Sequence, residues 1–124
     1  MAVMTFNLEH GYKVTGSDGE VTYEKEVGLR ELTASDIIDS QLEAEQVVEL
    51  ASGKVAAYTS DVRMGLNMLC RQVEYIGEIQ GPLNMKMLRN LHRDDLTLLQ
   101  TKAAELDRLV LEEIAKRGRV QAAG

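Results

Sequence analysis

The chain has 124 residues, 44% of them apolar and 27% charged, which is the size and make-up of one soluble domain with a single core. A net charge of −6 argues against a general nucleic-acid binder, which needs a basic footprint. The charge is uneven: residues 1–52 carry 11 acidic and 3 basic side chains, and residues 53–124 carry 9 and 11, so the first half reads as an acidic solvated face or as a surface for a different partner.

From residue 5 to 14 the apolar side chains Phe6, Leu8, Tyr12 and Val14 alternate with Thr5, Asn7, Glu9 and Lys13, with His10 the exception. That period of two predicts a strand with one buried face. Gly16-Ser17-Asp18-Gly19 is a turn signal, and Val21, Tyr23, Val27 and Leu29 continue on a second strand, giving a β-hairpin over 5–29. Two strands alone are marginal in water, so the hairpin must rest on the remainder of the chain or on another molecule.

Thr33 is a good N-cap, and Asp36 three residues on can close a capping box. A ragged helix is predicted over 34–50 through Ile37, Ile38, Leu42, Val47, Val48 and Leu50, with 55–58 a loop or short extended piece. Thr59 or Ser60 then caps a central helix in which Val62, Leu66, Leu69, Val73 and Ile76 form one stripe, reaching residues 77–79 and spanning roughly 30 Å. Gly81-Pro82 breaks it. Asn84 caps a short helix through Met85, Met87, Leu88 and Leu91, and Asp94 and Asp95 open a last helix to about residue 116 with the stripe Leu96, Leu99, Ala103, Leu106 and Val110. Lys116, Arg117 and Gly118 form its stop signal. The expected fold is α+β, mainly α: an N-terminal hairpin followed by a small bundle of three to four helices. The expected domain is single, 1–118, with the helical part at 33–117 and a disordered tail at 119–124.

Catalytic chemistry finds no purchase. Two histidines, His10 and His92, and one cysteine supply no zinc-ligand spacing. Asp94-Asp95 is accounted for by the helix dipole, and neighbouring helical carboxylates diverge too far to act as a dyad. Cys70 is flanked by Leu69 and Val73 of the core stripe, so burial or semi-burial is expected and Arg71 beside it is not expected to activate it, and Gly16–Gly19 lacks the features of a phosphate loop. The expectation is a protein without enzymatic activity, cofactor or metal. One cysteine allows no internal disulfide and suits a reducing compartment, and neither a signal peptide nor a membrane-spanning run is visible, so a cytosolic protein is expected.

The methionines are the suggestive feature. Met64 and Met68 stand one turn apart, Tyr75 and Ile79 continue roughly that face, and Met85 and Met87 follow the turn. These six either fill the core of an aromatic-poor bundle or line an adaptable groove for an amphipathic helix.

The order of segments also carries a resemblance: the hairpin, LRELTASD, AYTSDV, MLCRQVEYIGEIQGP and LHRDDLTLLQTKAAELD. Over about residues 5–115 this is similar to the tail assembly chaperones of Mu-like, contractile-tailed phages and prophages. The resemblance implies a protein of the host cytoplasm, absent from the mature virion, that binds the tape measure protein and keeps it soluble while tail tube assembles. It also implies a longer frameshifted form that recruits tail tube protein, and no catalytic residues. Homo-oligomerisation is compatible with it. The rival readings are a structural tail or baseplate subunit and a small phage-encoded regulatory adaptor.

Overall fold

The computed structural model describes residues 2–123, with side chains described for 2–118. β1 (Met4–Thr15) and β2 (Val21–Leu29) form the expected hairpin, antiparallel from Met4↔Leu29 to Thr15↔Val21. Gly19 takes φ 84° in its turn, a conformation glycine adopts without steric cost. The ladder is interrupted between Asn7 and Tyr12, where β1 bulges.

The helical-bundle expectation is overturned beyond the hairpin. Among the described residues there are six strands and four helices, and the hairpin is one half of a four-stranded antiparallel sheet of order β1-β2-β5-β6. The central helix, α2, ends at Gln72 (Asp61–Gln72), and the next residues turn into β5 (Val73–Ile76) and β6 (Ile79–Gln80). β5 lies on β2 with Val27↔Ile76, Gly28↔Tyr75 and Leu29↔Val73, which leaves Glu74 as an extra residue in the ladder. That bulge puts Val73 and Ile76 on the same face as Val27 and Leu29, all four buried. A spacing of three on one face is a helical signature, and here an irregular strand produces it.

The ragged helix divides in the same way. α1 spans Ala34–Glu43, with the Thr33–Asp36 capping box formed as expected. β3 (Glu45–Glu49) and β4 (Val55–Thr59) then make a second, separate two-stranded sheet, turning through Gly53 at φ 82°. Val47, Val48 and Val55 are β-branched and favour the pleated conformation once α1 has ended at its cap.

Ser60 caps α2, accepting from the Arg63 amide at 3.3 Å, and Asn84 caps α3 (Met85–Arg89), accepting from the Met87 amide at 2.8 Å. α4 runs Arg93–Ala123 and passes the expected stop, because Gly118 does not take the left-handed conformation that ends a helix. The disorder expected over 119–124 falls on residues whose side chains, and for residue 124 the backbone, lie outside the described set. One face of the sheet packs on the helices: Val27, Leu29, Val73 and Ile76 meet Leu69 and Cys70 of α2, Leu88 of α3, and Leu99, Ala103 and Leu106 of α4.

Candidate partner-binding surface

α2 turns Leu69 and Cys70 into the core, but its first turn stands clear of it. Val62, expected in the buried stripe, is 75% exposed. It forms a ridge between two grooves. The first, about 440 Å³, runs between α2 and α4 and is lined by Val62, Leu66, Met68, Leu69, Ala103 and Ala104, with Asp61, Gln72 and Asp107 as polar neighbours. Gly65 opens its wall, since a methyl placed there would meet nothing within 4 Å. The second, about 520 Å³, lies on the other side of Val62 and is lined by Leu66, Asn67, Met85 and the charged Glu43, Arg63 and Arg89. One groove is mainly apolar beside two carboxylates; the other is mixed in charge.

The six residues singled out from the sequence are all half-buried, and the fold does not gather them on one face. Met68 and Met85 sit in the two grooves that share Val62 and Leu66. Met64 is on α2, one turn before Met68. Met85 and Met87 also pack against the core. Tyr75 lies in β5 opposite Gly28, and its hydroxyl donates to Glu26 at 3.0 Å. Ile79 is in the edge strand β6, paired with Ile76. Tyr75 and Ile79 left the methionine face when α2 ended at Gln72.

The sequence reading passed over a group of exposed apolar side chains on α4. Beyond Leu106, the last buried residue of α4 among the described side chains, Leu109, Leu111 (66% exposed) and Ile114 (52%) project from the helix. Their signal was present in part: Leu109 and Leu111 fall off the Leu106–Val110 stripe, whereas Ile114 continues it one turn past Val110.

Cys70 is buried, and burial pushes its thiol pKa up against the smaller opposing effect of Arg71, so it is not an activated nucleophile. The other polar constellation lies at the start of α4. His10 Nε2 is 3.1 Å from Asp94 Oδ2, His92 Nδ1 is 3.6 Å from the same oxygen, and the hydrogen bond from His10 holds the Asp94 carboxyl below the usual range. The two imidazoles stack with centroids 3.6 Å apart and planes 17° apart. A metal ion bound by both rings must lie near both ring planes, and nearly parallel planes at that separation do not meet at one ion. His92 Nδ1 is also occupied, accepting from the Asp94 amide at 3.0 Å as a helix cap. The cluster acts as a clasp between β1 and α4.

Beneath it, Asp95 is fully buried and takes the bulge of β1 in hand. Its carboxylate accepts from the amides of Glu9 (2.8 Å), His10 (3.1 Å) and Gly11 (3.0 Å). The resulting arrangement has buried anchors, open apolar grooves and no group poised for acid, base or nucleophilic chemistry among the described residues.

The family model for tail assembly protein gp41 matches residues 8–119. The chain belongs to the tail assembly protein gp41 family. It is 43% identical over 109 residues to the probable tail assembly protein gp41 of Escherichia phage Mu, covering 87% of this chain and 74% of that relative. It is 34% identical over 98 residues to Mu-like prophage FluMu protein gp41 of Haemophilus influenzae, covering 79% and 77%. The probable tail assembly protein FS-gp41 of phage Mu is 41% identical over 102 residues, and the chain spans about half of it, 53%. No solved structure matches the chain. Among the described residues no helix is long and apolar enough to cross a membrane.

Proposed function

We propose that this protein is a tail assembly chaperone that holds the tape measure protein in the host cytoplasm, using the Val62 ridge and the grooves on either side of it. The observation that carries this reading is the ridge itself: a valine 75% exposed on a helix, between one mainly apolar groove and one of mixed charge, in a family whose work is tail assembly. An isolated exposed valine is ordinary, but one that continues into an open apolar groove, with charged side chains on its other flank, has the form of a surface for an amphipathic helix. A long helical client exposes repeated apolar stripes that aggregate unless covered, and Met68 and Met85 give the grooves side chains that can repack along such a stripe. The family relative FS-gp41, much longer than the matched region, is compatible with an extended form that recruits tail tube protein.

The test is co-expression of the tagged chain with the tape measure protein of the same phage. The wild type is expected to keep the client soluble and to co-purify with it. Val62→Glu is expected to lower recovery of the complex at least tenfold while leaving the thermal melt of the isolated protein within about 0.5 kcal/mol of wild type, as suits an exposed site. Undiminished recovery with Val62→Glu and Met68→Glu combined rules out this surface. Finding the protein in purified virions favours a structural tail subunit over a chaperone.

A further inference from the structure

We propose that two copies of this chain join through β4, edge to edge across a two-fold axis at Ala57, to make a continuous four-stranded sheet β3-β4-β4-β3.

The hairpin of β3 and β4 stands apart from the main sheet and has solvent on both faces, with Val47 and Val55 each 69% exposed and Tyr58 52%. A free two-stranded sheet is marginal in water, and three or more strands are normally needed. Among the described residues Val55–Thr59 make no hydrogen bond outside the β3 ladder, so the outer row of β4 amides and carbonyls is unpaired. Edge strands are usually protected by charge, proline or a bulge. β3 carries Glu45 and Glu49, whereas β4 reads Val-Ala-Ala-Tyr-Thr, with no side chain charged at neutral pH, no proline, and an unbroken register from Glu45↔Thr59 to Glu49↔Val55.

Charge then selects the occupant. In an antiparallel ladder, facing residues turn their amides both toward the partner strand or both away from it, so a two-fold axis must set one residue opposite its own copy. Placed at Ala57, it uses all of β4: Ala57 faces its own copy, Ala56 faces Tyr58, and Val55 faces Thr59. The small Ala56 leaves room for the tyrosine ring, and no like charges meet. Lys54, just before β4, comes beside Ser60 and Asp61 of the other copy, twice by symmetry, which adds an opposite-charge pair at each end. The same operation on β3 at Val47 sets Glu45 against Glu49 twice and is repelled.

Sedimentation equilibrium on the full chain tests this, against a protomer mass of 13.8 kDa. The wild type is expected to reach twice that mass with rising concentration. Ala57→Lys, which sets two ammonium groups face to face, is expected to stay monomeric with an unchanged circular dichroism spectrum, while Val47→Lys on the other strand still dimerises. Because a lysine could also unsettle the hairpin, Ala57→Cys supplies a second reading: under mild oxidation it is expected to cross-link through residue 57, since facing residues bring their Cα atoms within disulfide range. Val47→Cys is expected not to cross-link. A wild type that stays monomeric throughout, a dimer that survives Ala57→Lys, or cross-linking through Val47 in preference to Ala57 overturns the proposal.

Discussion

Three successive amides, those of Glu9, His10 and Gly11, converge on the Asp95 carboxylate, and Gly11 holds φ 91° to let them do so. Hydrogen bonds to a charged acceptor are worth roughly 1.5–3 kcal/mol each, and their loss at a buried site is not made good by water. Asp95→Asn removes the charge and turns one acceptor into a donor facing other donors. It is expected to destabilise the fold by about 3 kcal/mol, read from the urea midpoint at unchanged m-value. A loss below about 0.5 kcal/mol would show that the bulge finds other acceptors. The sequence offered only half of this. Asp94 and Asp95 were legible as helix-opening carboxylates, but Asp95's partners lie 84 to 86 residues away and no local pattern encodes them. His10 breaks the alternation of β1 for the same reason: it sits in the bulge.

At the scale of elements, the parts with unbroken local patterns were legible. The β1–β2 hairpin follows its alternation, the Thr33–Asp36 box and the Ser60 and Asn84 caps stand where their side chains predict, and α4 follows its stripe. The main misreadings came from strands. The bulge at Glu74 gave β5 a helical spacing, and the exposed β3–β4 sheet lacks the clean alternation of a strand with one buried face. Gly77, at φ 55° between β5 and β6, marked the turn that a continuous helix would not need. Of the proposed contact residues, Met68 and Met85 were found through composition, whereas Val62 was assigned to the core because periodicity cannot say which end of a stripe is covered. The β2–β5 pairing yields its own prediction. Gly28 is buried with the Tyr75 ring lying over it, and a Cβ there would collide with that ring. Gly28→Ala is therefore expected to cost about 1–3 kcal/mol and to break the Tyr75–Glu26 hydrogen bond. Gly28→Ala combined with Tyr75→Ala should recover part of the loss; if the double variant is no better than additive, the collision is not the cause.

For the molecule as a whole, α1 is tied down by two ion pairs. Arg30 forks onto Asp36 at 2.8 and 3.0 Å, and Arg71 reaches Glu43 at 2.6 Å and Ser40 at 3.1 Å. The Arg30 guanidinium, followed by the Thr33 amide, holds the Asp36 carboxyl far below the usual range, and Arg71 lowers that of Glu43. Both folded pKa values lie under the unfolded ones, so this stability is complete above about pH 5 and is lost as pH falls through the folded values. The urea midpoint is expected to drop below about pH 4, and Asp36→Asn should flatten that drop. An equally steep fall in the variant would place the acid sensitivity elsewhere.

The clasp between the first strand and the last helix sets an order of events during synthesis. Leu8 shares its core with Leu99 and Leu106, and the amides of the β1 bulge lack their acceptor until Asp95 arrives. On the ribosome, the hairpin must wait until Asp95 and the start of α4 have been made before it can lock. Contacts of such long sequence separation leave the first strand unanchored through most of synthesis and are expected to make folding slow for a domain of this size.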